Sequence, residues 1–183
     1  MKTLSDLTVA IFADGADKAG MLEMYANPYI KGFTTNPTLM RKAGVTDYEK
    51  FAHDILQLIP DRPISFEVFA DDFSEMARQA RRIAAWGKNI RVKIPITNTR
   101  RESAIPLCER LTQEGIPLNV TAIFTLEQVR AVVEAVKGGC ADLCVGVRGP
   151  YRRYRRRPCA VDGRGGAPPR CGAQYRAHLG EPT

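Results

Sequence analysis

Lys93 stands in the run Arg91-Val92-Lys93-Ile94-Pro95-Ile96-Thr97, whose β-branched members predict a buried strand. An ammonium in apolar surroundings is costly to desolvate, which favours the neutral amine, the form that attacks a carbonyl. Two readings fit this segment. One is a Schiff-base lysine; the other, commoner for such a segment alone, is a strand-end lysine whose stem is buried while its head snorkels to water. Polar groups of catalytic type also close the other apolar runs: Asp14, then Thr34, Thr35 and Asn36, then Glu67, then Asn119 and Thr121. Each has an ordinary alternative, Asp14 as a turn residue, Thr35-Asn36-Pro37 as a helix-start turn, Asn119 and Thr121 as a strand-end hydrogen-bond pair. Their recurrence at successive strand ends, around one amine, favours a shared site, because parallel barrels carry their chemistry at the C-terminal ends of their strands.

The elements that must position these groups alternate between short apolar runs and longer helical patterns, the mark of repeated βα units and a parallel sheet. Strands are expected at Thr8 to Ala13, Gly32 to Thr34, Ile64 to Phe69, Ile90 to Ile94 and Leu118 to Ile123, and Ala141 to Val147 opens a sixth. Helices are expected near Lys18 to Tyr25, Asp47 to Leu58, Asp72 to Trp86, Arg101 to Gln113 and Leu126 to Val136. Pro60 and Pro63 close the second, Gly87 and Gly115 the third and fourth. The outcome is an α/β fold of the TIM (β/α)8 type, incomplete at about five and a half units. An open doubly wound sheet is disfavoured, since Asp14-Gly15-Ala16-Asp17 is not the Gly-rich phosphate loop such a sheet usually shows after its first strand.

Five segments together resemble the transaldolase family, especially its short bacterial branch that includes fructose-6-phosphate aldolase. They are Phe12-Ala13-Asp14-Gly15-Ala16-Asp17, Gly32-Phe33-Thr34-Thr35-Asn36-Pro37-Thr38-Leu39, Phe66-Glu67-Val68, Val92-Lys93-Ile94-Pro95 and Leu118-Asn119-Val120-Thr121. The resemblance covers about residues 7–143 and implies a class I enzyme without metal or organic cofactor, acting on sugar phosphates in the pentose phosphate pathway. It implies that Lys93 forms the Schiff base, that Asp14 takes the proton of the donor's C4 hydroxyl, and that Glu67 and Thr121 hold a catalytic water. Asn36 and Asn119 would bind donor hydroxyls, and Thr34 would line the site. Fructose-6-phosphate aldolases tend to carry glutamine where Glu67 stands, which tilts the expectation towards transaldolase proper, with the aldolase as the alternative. Intact members of the family are expected to be homo-oligomers.

From Cys144 onward the composition changes: the last 40 residues hold nine arginines, seven glycines, five prolines and no lysine, from which no barrel strand or helix is expected. Residues 1–143 form the partial barrel in this reading, and 144–183 a disordered basic tail. Family members continue with Val-Ser-Val-Phe-Ala-Gly-Arg-Ile-Ala-Asp-Thr-Gly, whose Ser and Arg help to bind the substrate phosphate. Re-reading each codon from Cys144 one base later permits that whole run in register, so a frameshift near codon 143 or 144 is expected.

The frameshift changes what the charge means. The formal +7 resides wholly in the tail, because residues 1–143 carry 18 basic and 18 acidic groups. Tyr151-Arg152-Arg153-Tyr154-Arg155-Arg156-Arg157 would otherwise look like a nucleic-acid-binding arm; as out-of-frame translation it predicts only non-specific binding. An inactive barrel fragment with such a tail is the alternative from outside enzymology. The five cysteines show no CxxC or metal spacing and are expected to be thiols, and the two isolated histidines offer no triad. No apolar stretch spans a bilayer and the N-terminus lacks the blocks of a signal peptide, so no membrane partner and a cytoplasmic location are expected.

Overall fold

The computed structural model describes residues 10–137 and the backbone of Cys144–Val147. Six strands lie in one sheet in chain order: β1 (Ile11–Asp14), β2 (Ile30–Thr34), β3 (Ile64–Glu67), β4 (Ile90–Pro95), β5 (Leu118–Ile123) and β6 (Cys144–Val147). Every neighbouring pair is parallel. Helices fill the connections: α1 (Lys18–Tyr25), α2 (Pro37–Lys42), α3 (Tyr48–Leu58), α4 (Phe73–Ala84), α5 (Ile105–Gln113) and α6 (Leu126–Ala135). Sequential parallel strands joined by helices make the wall of a barrel, and the fold is an incomplete α/β barrel.

Alternation along the strands separates core from site. Phe33, Ile64, Phe66, Val92, Ile94, Leu118 and Val120 are buried on one face, with Ile55, Met76, Ala80, Leu111 and Val132 from the helices in the same core. The residues between them carry the polar groups: Ser65 and Glu67 on β3, Lys93 on β4, Asn119 and Thr121 on β5. A period of two therefore divides each strand between helix packing and the barrel interior.

The helices begin where the sequence supplies side-chain acceptors. Asp17 accepts from the Gly20 amide, Asp47 from Lys50, Asp72 from Ser74 and Glu75, and Thr125 with Gln128 forms a reciprocal capping box. Such caps stabilise a helix by about 1 kcal/mol each. Between helices, Arg81 clamps Glu114 through two hydrogen bonds of 2.8 and 2.7 Å, tying α4 to the end of α5.

Several expected boundaries move. The short helix α2 is additional; Asn36 caps it and Pro37 occupies its first turn. β3 ends at Glu67 rather than Phe69, because the Phe69 and Ala70 amides turn to the Gln79 side chain. α5 begins at Ile105, not Arg101, since Arg101 takes a left-handed φ of 64° inside a loop closed by mutual hydrogen bonds of Asn98 and Glu102. The sixth strand expected at Ala141 to Val147 is present as β6 over Cys144–Val147, pairing with β5, so the sheet continues for four residues past the change at Cys144, where composition alone predicts no strand. A ladder is built from backbone groups, which any residue but proline supplies in full. The expected start of the first strand at Thr8, residues 138–143 and the tail from 148 lie outside the described residues.

Candidate active site

Three of the expected site residues share one row of the sheet. Glu67 pairs with Lys93, and Lys93 with Asn119, so their side chains stand side by side on the interior face. The Lys93 residue is 8% exposed, and its Nζ lies 3.2 Å from Glu67 Oε2 and 3.0 Å from the Thr35 carbonyl oxygen. This corrects the apolar setting expected for the amine. Val92 and Ile94 belong to the opposite face by alternation, and the amine meets two oxygens instead. The arrangement meets the requirement that a buried charge be paired and hydrogen-bonded.

Asn119 completes the row by donating from Nδ2 to Ser65 Oγ at 3.0 Å, a buried bond across the interior from β5 to β3. Thr121 stands one interior position further along β5, opposite Pro95, which places it diagonally beyond Lys93. The backbone there is bent: Ala122 has a φ of 59°, and the β5 and β6 register jumps between Val120 and Ile123.

The other expected residues form a second group at the ends of β1 and β2. Asp14 pairs with Thr34 in the sheet, and Thr34 Oγ1 donates to Asp14 Oδ1 at 2.8 Å, fixing the exposed carboxylate over the strand end. Asn36 caps α2, its Oδ1 accepting from the Leu39 amide at 3.0 Å. This is the helix-start role weighed for it from the sequence, and it engages only the side-chain oxygen.

Two residues at this centre were not singled out from the sequence. Ser65 lies two positions before Glu67 and so shares its face, a placement that period two could have given. Tyr48, the first residue of α3, donates its hydroxyl to the Glu67 carbonyl at 3.0 Å and accepts from the Glu67 amide at 2.9 Å. Its ring packs edge-on against Phe66, Phe69 and Trp86. Burial drives the Tyr48 phenol well above its ordinary value, against the opposing effect of its hydrogen bond to the Glu67 backbone. Nothing in the sequence points from an aromatic at a helix start to a backbone 19 residues away.

Among the described residues no group of three or more His, Cys, Asp and Glu is arranged to hold a metal ion. No described helix is long and apolar enough to cross a membrane. The site can hold a reactive amine, place a carboxylate on it, and offer amide and hydroxyl groups to a polar ligand.

The profile of the transaldolase/fructose-6-phosphate aldolase family matches residues 11–151. A probable transaldolase of Dehalococcoides mccartyi is 36% identical over 128 residues, covering 70% of this chain and 56% of that protein. Similar matches are a probable transaldolase of Thermoanaerobacter sp., 40% identical over 124 residues, 68% of this chain and 55% of that protein, and one of Streptococcus agalactiae, 36% identical over the same length and shares. The chain thus spans about 55% of the length of these relatives. With the family profile covering residues 11–151 and relatives 36–40% identical over about two thirds of the chain, the chain belongs to the transaldolase/fructose-6-phosphate aldolase family.

Proposed function

We propose that this chain carries the Schiff-base machinery of a transaldolase, which moves a dihydroxyacetone unit from a ketose phosphate to an aldose phosphate in the cytoplasmic pentose phosphate pathway. The observation that carries the reading is the row Glu67, Lys93, Asn119, with the amine of Lys93 on the carboxylate of Glu67. Attack on a ketone requires the amine to be neutral, and Glu67 is the adjacent group able to take its proton.

The balance of the reaction assigns the remaining roles. Lys93 Nζ adds to the donor's C2 carbonyl, and water leaves as the iminium forms; a water held between Glu67 and Thr121 relays the protons. Asp14 then takes the proton of the C4 hydroxyl. The C3–C4 bond breaks, its electron pair passes into the iminium to leave an enamine, and the first aldose departs. The enamine attacks the carbonyl of the acceptor, Asp14 returns its proton, and water releases the new ketose. Thr34, already bonded to Asp14, keeps that carboxylate aimed and lines the site. Asn119 and the Nδ2 of Asn36 donate to the donor's hydroxyls.

The carboxylate at Glu67 and the names of the relatives favour transfer over simple aldol cleavage. The substrate phosphate would be held beyond β5, where the change of frame proposed near codon 143 or 144 replaces the expected serine and arginine. Borohydride reduction in the presence of fructose 6-phosphate tests the reading. A stable adduct on the Lys93 peptide, absent from Lys93→Met, is expected. An unmodified Lys93 would show that this polypeptide does not form the Schiff base. Release of glyceraldehyde 3-phosphate without an acceptor would mark the aldolase instead.

A further inference from the structure

The hydrogen bonds where β2 leaves β3 do not follow the parallel ladder to its end. Phe33 donates to the Pro63 carbonyl and Thr35 to the Ser65 carbonyl, each step advancing two residues on both strands. The next step would join the Glu67 amide to the Thr35 carbonyl. It is not made. The Glu67 amide bonds to the Tyr48 hydroxyl, which also donates to the Glu67 carbonyl, while the Thr35 carbonyl accepts from Lys93 Nζ. The Thr35 hydroxyl is fully buried and has no hydrogen bond of its own.

We propose that Tyr48 is a positioning residue for the Lys93 amine: its hydroxyl substitutes for β2 along the Glu67 backbone and so leaves the Thr35 carbonyl free to hold Lys93. One hydroxyl does both jobs because it can donate and accept at once. The ring is held by Phe66, Phe69 and Trp86, so the hydroxyl arrives at a fixed place. Without it, the Glu67 amide has the Thr35 carbonyl as its nearest ladder partner, and the two donors compete for one oxygen. Tyr48 touches no reacting atom; it acts through Thr35 and Glu67.

The catalytic part of this inference rests on Lys93 being the Schiff-base residue, so the test reads the amine in two ways. In the full chain and in Tyr48→Phe, acetylation of Lys93 by acetic anhydride is measured by peptide mass spectrometry against exposed Lys88, alongside borohydride trapping with fructose 6-phosphate. Phe69→Leu, which removes a ring packed on Tyr48 but leaves the hydroxyl, controls for loosened packing, and alkylation of buried Cys108 reports general opening. In Tyr48→Phe the Lys93 to Lys88 ratio should rise about threefold or more as the amine loses an acceptor. Trapping should meanwhile fall about tenfold as the amine loses its aim, with Cys108 unreactive and Phe69→Leu showing neither change. An acetylation ratio unchanged by Tyr48→Phe, or changed equally by Phe69→Leu, overturns the proposal. If the unsubstituted chain traps no ketose, the Schiff-base reading fails, and the acetylation ratio still decides whether Tyr48 positions the amine.

Discussion

Cys108 is fully buried in α5, and burial pushes its thiol up to about 12 from an ordinary value of 9.0. At neutral pH the side chain is therefore a small apolar group with no thiolate to react, and it should resist iodoacetamide until the protein unfolds. The same shift has a consequence for stability. As the pH rises past about 9 the unfolded chain loses the Cys108 proton while the folded protein keeps it, so the unfolded state binds fewer protons and stability falls. The slope from this group is at most about 1.4 kcal/mol per pH unit, between roughly 9 and 12. The raised phenol of Tyr48 adds a second decline of the same sign once the pH passes its ordinary value of 10.0. Urea unfolding at pH 8, 9 and 10 should show Cys108→Ala less stable at pH 8 by about 1 kcal/mol, through the small cavity left, yet flatter with pH. Parallel declines in the two proteins would remove Cys108 as the cause.

At the scale of the elements, β5 carries the strain of the site. Its register with β4 is unbroken from Leu118 to Thr121, whereas towards β6 it passes from Val120 paired with Val145 to Ile123 paired with Val147, leaving Thr121 and Ala122 opposite a single residue. This is a bulge, and bulges re-aim side chains beside active sites. Ala122 sits in it at a φ of 59°, a left-handed conformation that costs a residue with a Cβ about 1–2 kcal/mol. Ala122→Gly should therefore be neutral or slightly stabilising in thermal unfolding, and Ala122→Val destabilising by about 2 kcal/mol or more. Equal melting temperatures for the two variants would show that the bulge bears no strain. The bulge was invisible in Leu118-Asn119-Val120-Thr121, where plain alternation predicts a regular strand. Alternation was nevertheless sufficient for the row Glu67, Lys93, Asn119, because each residue lies on a short strand whose apolar neighbours fix which face is inside. It failed where structure is set by contacts distant in sequence. The short α2 offers too few residues for a helical period, and only Asn36 followed by Pro37 marks it; Arg101, a helix start by pattern, is held out of α5 by the Asn98 and Glu102 loop. Tyr48 was hidden for the same reason, since its partner is a backbone amide on another element.

Over the whole molecule, the described strands number six, and β1 and β6 each have one paired neighbour. A barrel abolishes edges by closing, and the family architecture requires eight strands for that. An edge strand that gains no second neighbour exposes its backbone donors and acceptors, and among the described strands β1 and β6 are in that position. Phe69 and Phe124, each 55% exposed just beyond the ends of β3 and β5, add apolar surface. These features predict association of the chain through its edges and its exposed rings. The comparison to make is between residues 1–183 and a protein in which the reading frame is restored after codon 143. The restored protein should remain soluble at concentrations where the present chain aggregates, and should melt roughly 10 °C higher or more, since closing the wall adds several kcal/mol of burial and pairing. It should also lose the salt-sensitive retention on heparin that nine arginines in the last 40 residues confer. If both proteins melt together, six strands are a self-sufficient sheet, and the missing part of the wall serves the substrate phosphate rather than the fold.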